Sequence, residues 1–393
     1  MNVHELVSHH YAHAPGFAAR MSAAGIGPDD IRSPADLEAL PVLRKEALIE
    51  LQAENPPFGG LLSCEPGQLK RIFQSPGPIV EPESRVADYW RWQEPLRAAG
   101  FRAGDVALNA FGYHLSPAGA MFEDGLRAVG CVVIPGGVGN QEQQVGLLHR
   151  LGVIGYVGLP SYLRVLLEKA DELGLTLRLE KALVGAEPLP PSLRAYFDGR
   201  EITVRQGYGT AECGSMGYEC DELDGWHIPD GVHIDICDIN SGKPLTAGES
   251  GEVVVTVWSR DYALIRFGTG DLSAMNTELC RCGRTGHRIM GWQGRIGDAV
   301  KVRGMFVHPG QVARVLARFT AIRRHQSLIT RADHRDQFTL RVVLADNADA
   351  AAVTTQIEAA ARDILKLRVA VDVVSEAELP GNSPALRDDR TWD

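Results

Sequence analysis

DVALNAFGYHLSPAGAMFEDGLRAVGCVVI, residues 105–134, decides the fold. The short apolar run at 105–109 reads as a strand, 118–129 as an amphipathic helix and 131–134 as a second strand, closed by Pro135-Gly136-Gly137. The pattern then continues with a helix over 141–151, a strand over 155–158, a helix over 161–173 and a strand over 181–184. Short apolar strands alternating with longer amphipathic helices predict a parallel sheet with helices on its faces, because each helix carries the chain back to begin the next strand. Ligands of such sheets sit in the crevice beyond the strand C-termini. Gly185-Ala186-Glu187-Pro188 and Tyr208-Gly209 fall there.

Working outward, residues 230–275 change to β-rich texture, with strands at 232–237 and 251–257 around the turn Gly242-Lys243-Pro244. A compact α+β unit begins near Asp298, with strands near 327–330 and 338–344, a helix over 351–366 and a strand over 369–374. Residues 1–70 read as helical and loop-rich, and Ser33 is placed to cap a helix starting at Pro34. The first helix carries His4, His9, His10 and His13. His9 and His13, one turn apart, could hold a metal, but the expectation is that these histidines face solvent. The expected architecture is α/β: a large N-terminal domain, 1–295, with parallel helix-flanked sheets and a β-rich subdomain, then a small C-terminal α+β lid domain, 296–393.

The 393 residues are 45% hydrophobic and 23% charged, ordinary values for a globular chain with one large core and a smaller second one. A formal charge of −10 argues against a general nucleic-acid binder, which needs a clustered basic surface. Arg323-Arg324-His325 reads as a solvated face. No apolar run reaches membrane-spanning length, and MNVHELVSHH lacks the basic and apolar regions of a signal peptide, so a soluble, cytoplasmic protein without membrane partners is expected. Seven cysteines, an odd number, favour free thiols or a metal site over a disulfide framework. A homodimer would be an ordinary assembly.

Two groups of residues point to chemistry. LIRFGTGD (264–271) ends in a carboxylate held by a glycine turn, and Asp271 at the end of a strand is shaped to accept both hydroxyls of a ribose. Arg295 offers a fork of donors to the same sugar or its phosphate, and Glu212 of YGTAE (208–212) can hold a hard cation against phosphate oxygens. TGD alone is more often a plain turn; the order of the three pieces carries the reading. The second group is Cys220 and His227 with Cys280-x-Cys282-Gly283. Residues two apart on an extended segment point to one side, and Gly283 permits the turn that follows. Three thiolates and one imidazole form a closed tetrahedral set suited to structural zinc. A scatter of reduced cysteines is the alternative. Cys213 is a further candidate thiol whose plain reading is burial.

The phrases FGYHLSPAG (111–119), PGGVGNQEQQ (135–144), GLPSYL (158–163), GAEP (185–188), YGTAE, GYECDELDGWHI (217–228), SGKPLTAGESGEVVVT (241–256), LIRFGTGD, CRCGR (280–284) and GRIGDAVKVRGMFVHPGQV (294–312) follow one another in order. Through them the chain resembles the phenylacetate-CoA ligase family of adenylate-forming ligases over nearly its whole length. The resemblance implies adenine against Gly185, Ala186, Glu187, Pro188 and Tyr208, with Gln206, Gly209 and Thr210 in the same nucleotide site. It places Mg-ATP near Glu212, the ribose on Asp271 and Arg295, and the acyl group near Phe111, Tyr113, His114 and Gly207. Glu212 and Arg295 would be catalytic. The cofactors implied are ATP or AMP with Mg2+, structural Zn2+ and, as one acceptor, CoA; the substrate would be a small-molecule carboxylate. Such enzymes join the carboxylate to AMP and then rotate the small domain so that the CoA sulfur attacks the mixed anhydride.

The chain departs from that pattern where phosphate chemistry is expected. The family's Ser/Thr/Gly-rich phosphate loop corresponds to Phe73-Gln74-Ser75-Pro76-Gly77-Pro78-Ile79-Val80, in which Pro76 and Pro78 each remove an N–H donor and stiffen the turn. No lysine follows Lys366 to serve as the family's C-terminal lysine, and Arg387 is the candidate substitute. Gly297 stands in place of the hinge acid, and Ala211 in place of the second hydroxyl residue of the YGTAE motif. Each lost transition-state donor commonly costs a factor of roughly a hundred to a thousand. The leading expectation is an atypical ligase activating an aromatic or heteroaromatic carboxylate, in secondary metabolism. A non-adenylating relative that binds nucleotide, acyl-CoA or a partner enzyme is the alternative. A hydrolase built on Ser215 in CGSMG lacks both the first glycine of G-x-S-x-G and an assignable triad.

Overall fold

Asn2 starts the first helix, α1 (Val3–His13), through a capping box: its side chain accepts from the Glu5 amide while the Glu5 carboxylate accepts from the Asn2 amide. In this computed structural model the described residues are 1–390 without 76–77, 299, 303–304, 308, 333–334 and 366. Pro76 and Gly77 of the expected phosphate loop, and Lys366 at the expected end of the last helix, lie outside them. Contrary to the expectation of solvent-facing histidines, His10 on α1 is fully buried. Burial is affordable there because both ring nitrogens are satisfied, by the Ser63 hydroxyl at 2.7 Å and the Ser259 carbonyl at 2.8 Å. Next come α2 (Pro15–Ala23), the two-residue β1 (Leu43–Arg44) and α3 (Lys45–Glu54). The segment at Pro34 is a 3-10 helix, Pro34–Ala39, with Asp36 reaching back to accept from the Ser33 amide and hydroxyl. A hairpin, β2 (Arg71–Gln74) and β3 (Val80–Glu83), occupies the expected phosphate-loop segment, and its Ser75 amide donates to the Ile79 carbonyl at 3.0 Å.

The alternating layer is α4 (Gln93–Ala98), β4 (Val106–Asn109), α5 (Ala118–Val129), β5 (Val132–Pro135), α6 (Gln141–Leu151), β6 (Gly155–Gly158), α7 (Pro160–Glu172), β7 (Lys181–Val184), α8 (Pro191–Asp198) and β8 (Thr203–Thr210). In α5, Met121, Phe122, Gly125, Leu126 and Val129 recur at helical spacing and are buried, and Gly130 ends the helix in the left-handed region. Strands β5, β4, β6, β7 and β8 pair in parallel in that spatial order.

Strand β8 changes partners along its length. Thr203 to Gln206 run parallel to β7, whereas Gly207 to Thr210 run antiparallel to β9 (Gly214–Tyr218). The β-rich part continues through β10 (Trp226–His227), β11 (Val232–Cys237), β12 (Ser250–Val257), β13 (Phe267–Asn276) and β14 (Arg288–Ile289). Among the described residues one twelve-stranded sheet holds both parts, in the order β11-β12-β13-β14-β10-β9-β8-β7-β6-β4-β5, with β1 parallel to β13. Asp271 therefore lies inside β13 rather than at a strand end.

The C-terminal elements are β15 (Val300–Val302), β16 (Met305–Val307), α9 (Pro309–Leu316), β17 (Ile322–Ala332), β18 (Arg335–Leu344), α10 (Ala350–Ile364), β19 (Ala370–Val373) and β20 (Leu386–Asp388). The two short strands expected near 327 and 338 are halves of one long hairpin, β17–β18, within a four-stranded sheet β19-β18-β17-β20. Ile329, Phe338, Leu340 and Val342 bury its inner face with Val312, Leu316, Ile357 and Ala361. The chain divides into two compact units, Met1–Thr269 with Ser273–Gly291, and Gly270–Leu272 with Trp292–Asp393. Among the described residues no helix is long and apolar enough to cross a membrane.

Candidate functional site

In the first unit the loops at the ends of the parallel strands gather most of the residues expected to bind nucleotide and acyl group. β7 runs into Gly185-Ala186-Glu187-Pro188, where Ala186 takes a left-handed conformation and the Gly185 amide donates to the Gly158 carbonyl at the end of β6. A Cβ on Gly185 would stand 2.8 Å from the Gly207 carbonyl, so glycine lets this loop approach β8. The Gln206 side-chain amide reaches the Glu187 carbonyl at 3.5 Å. On the antiparallel half of β8, the Tyr208 ring stacks on Trp226, with centroids 5.2 Å apart. The Thr210 hydroxyl accepts from the Cys213 amide and so shapes the turn that presents Glu212.

Glu212 is buried and paired with Lys45, whose Nζ lies 3.1 Å from Oε1. Burial raises the Glu81 carboxyl on β3 to about 7, where Ser75 donors and the Lys45 charge lower it and the Glu212 charge raises it further. The sequence signalled neither Lys45 nor Glu81, because their meeting with Glu212 depends on long-range contacts. Arg387, the candidate substitute for a C-terminal lysine, pairs with Asp389 at 2.7 Å.

The expected acyl-site residues separate into two kinds. Phe111 is buried and stacked on Phe122, with centroids 4.4 Å apart, and Phe122 lies against Trp92 at 4.1 Å. The Trp92 ring presses on β8, since Cβ atoms on Gly207 and Gly209 would meet it at 2.7 and 2.8 Å. Phe111 and Gly207 thus belong to one aromatic wall. Tyr113 and His114 are exposed, and the Tyr113 hydroxyl accepts from Asn109 Nδ2 at 2.8 Å. Fully buried Asn109 also donates to the Gly119 carbonyl and accepts from the Phe111 amide, tying the end of β4 to α5. Asn109, Trp92 and Phe122 were not legible as site residues, since each works through a packing neighbour.

In the second unit Asp271 and Arg295 face each other across an antiparallel bridge, with Arg295 Nε 3.3 Å from Asp271 Oδ1. Trp292 Nε1 donates to the same oxygen at 3.2 Å. Gly270, at φ +75°, makes the kink that precedes Asp271.

The thiol and imidazole groups converge as expected: the ligand atoms of Cys220, His227, Cys280 and Cys282 all lie within 4.8 Å of one another. They do so by a different route from the extended segment expected for Cys280 and Cys282. The Gly283 amide donates to the Cys280 carbonyl at 3.1 Å and Gly283 has φ +86°, so the two thiols sit on a tight turn. His227 on β10 pairs with Tyr218 on one side and Arg288 on the other, which fixes the imidazole beside that turn. Burial, reinforced by the Arg284 and Arg288 charges, brings His227 down to about 4, the neutral form that binds metal. Burial holds the Cys220 thiol up, whereas at Cys282 the Arg284 amide and guanidinium outweigh burial and favour the thiolate. Three sulfurs and one nitrogen in this space fit a closed tetrahedral zinc site. Cys213 is buried and stands outside the group.

The family of AMP-binding enzymes matches residues 124–257. The phenylacetate-coenzyme A ligase of Thermus thermophilus is 31% identical over 360 residues, 87% of this chain and 79% of that protein. The Escherichia coli phenylacetate-coenzyme A ligase is 30% identical over 362 residues, 87% of this chain and 80% of its own length. Among solved structures, an open conformation of 2-hydroxyisobutyryl-CoA ligase in complex with 2-HIB-AMP and CoA superposes with a TM-score of 0.82 at 24% identity, covering 98% of this chain and 90% of the other. At 31% identity to a phenylacetate-coenzyme A ligase over 87% of its length, the chain belongs to the phenylacetate-CoA ligase family and is an adenylate-forming, acid-CoA ligase-like enzyme.

Proposed function

We propose that this enzyme activates an aromatic or heteroaromatic carboxylate with ATP and passes the acyl group to a thiol, with CoA as the acceptor, in secondary metabolism. In the first half-reaction a carboxylate oxygen attacks the α-phosphorus and pyrophosphate leaves. In the second, sulfur attacks the acyl carbon, AMP leaves and the thiol proton is released. Magnesium, when bound, would spread the negative charge of the phosphates, and buried Glu212 is the carboxylate that would hold it. Asp271 and Arg295 would take the ribose, and the loop Gly185 to Pro188 with Tyr208 the adenine. Residues 296–393 would be the small domain that turns between the two half-reactions. Zinc on Cys220, His227, Cys280 and Cys282 would brace the strands β9, β10 and β14 and take no part in the chemistry.

The observation that carries the substrate class is the wall of Phe111, Phe122 and Trp92 against Gly207, with ring separations of 4.1 and 4.4 Å. These rings fill the space between themselves, and the flat, rigid aromatic backing that they would give the acyl site suits a planar ring better than a flexible aliphatic chain. ATP–pyrophosphate exchange with a panel of aryl, heteroaryl and aliphatic acids tests it. Exchange is expected with ring acids, at a rate lowered by Pro78 in the phosphate hairpin. Exchange only with aliphatic acids would refute the substrate class, and silence across the panel from folded protein would refute adenylation.

A further inference from the structure

Trp292 leaves a large apolar ring 47% exposed, an arrangement that hydrophobic burial alone opposes. Its N–H, however, is committed: Nε1 donates to Asp271 Oδ1 at 3.2 Å, the oxygen that Arg295 Nε reaches at 3.3 Å. Asp271 itself is buried. The backbone makes this meeting obligatory. The Leu272 amide donates to the Gly294 carbonyl at 2.7 Å and the Gln293 amide to the Leu272 carbonyl at 2.8 Å, so residues 292–295 run antiparallel to this part of β13. Trp292 and Arg295 therefore come to one carboxylate from two ends of a single short segment.

We propose that Trp292 is a positioning residue of the ribose site: with Arg295 it fixes the Asp271 carboxylate in one orientation before the sugar diol arrives. The proposal rests on Asp271 being the ribose ligand. A carboxylate on one freely turning side chain must be ordered when it binds two hydroxyls, and donors that hold it beforehand remove that cost from the binding step. Charge-assisted hydrogen bonds are strong enough to do so. Tryptophan suits the task because indole donates and cannot accept, so it competes with the diol for neither of the sugar's protons. The role belongs to the N–H, and the exposed ring face is secondary.

The test uses the full chain, its W292F and W292A variants, and calorimetric titration with ATP, 2′-deoxy-ATP and 3′-deoxy-ATP. The wild type is expected to prefer ATP over both deoxy forms. W292F, which keeps a ring but loses the donor, is expected to weaken ATP binding roughly tenfold while changing the deoxy forms little, so that the preference shrinks. In steady state the loss should fall on KM for ATP, with kcat nearly unchanged. A structural lesion would weaken all three nucleotides alike, and that result would overturn the proposal. So would full retention of the preference in W292F, or a loss confined to W292A, which would assign the role to the ring face. The wild-type arm needs no variant: absence of any preference for the intact diol overturns the proposal even if ATP binds. Failure of the wild type to bind any of the three nucleotides removes the ribose reading and this proposal with it.

Discussion

At the scale of single residues, Glu212 is the carboxylate to which the proposed function gives the magnesium. It is buried, it faces one ammonium at 3.1 Å, and it sits at the end of a turn shaped by Thr210. Replacing it by glutamine keeps the volume and removes the charge, so pyrophosphate exchange is expected to fall by about a hundred- to a thousandfold with the fold intact by circular dichroism. His10 makes a prediction of another kind. Its Nε2 donates to the Ser259 carbonyl, and in the neutral ring that burial favours Nδ1 accepts from the Ser63 hydroxyl. Burial lowers it from 6.5 to about 4 in the folded chain. A depressed folded value means that its contribution to stability is complete above the unfolded value of 6.5 and drains away as pH falls from there towards 4. Urea unfolding should show a loss of up to about 3 kcal/mol over that window through this one residue. His10→Asn should flatten that slope; an unchanged slope would show that His10 is not its source.

At the scale of elements, the Cys280–Gly283 turn and strand β8 do the positioning. The turn brings two thiols to Cys220 and His227, and purified protein is expected to carry about one zinc per chain by elemental analysis. Cys282→Ser should release the metal, lower the melting temperature and raise hydrogen exchange in β10 and β14, while residues in α6 and α7 keep their protection. Zinc-free wild-type protein with the same melting temperature would show that the four groups are reduced spectators. Sequence periodicity located the helices well where burial follows the period: α5 and α6 span the expected residues because their apolar positions face one layer. It failed where the backbone turns without changing composition. Cys280-x-Cys282 fits a strand or a turn equally well by spacing, and only the hydrogen bond from Gly283 separates them. Likewise β13 runs on past Asp271, because Leu272 and Ala274 continue the buried strand pattern that the glycine before Asp271 concealed. The candidate site was legible in its loops, whose residue types are chemically unusual. Lys45, Glu81, Asn109, Trp92 and Trp292 were not, because ordinary side chains gain meaning only from what the fold sets beside them.

At the scale of the whole molecule, the second compact unit has its own apolar core, built on β17, β18, α9 and α10. Unfolding is therefore expected to be more than two-state, with separable transitions for the two units in calorimetry. Leu340 is fully buried in that core, and Leu340→Ala should lower only the transition of the smaller unit, by about 2–5 kcal/mol. A single transition that shifts as a whole would show that the units melt together. The Lys45–Glu212 pair bears on the order in which the working complex assembles. On the proposed reading, a bare divalent ion entering the resting enzyme would have to evict the Lys45 ammonium from Glu212, an exchange that returns little in free energy. A nucleotide that arrives with its metal already chelated brings phosphate oxygens to receive that ammonium as it leaves. Kinetically, magnesium should behave as part of the incoming substrate rather than as an activator that loads first.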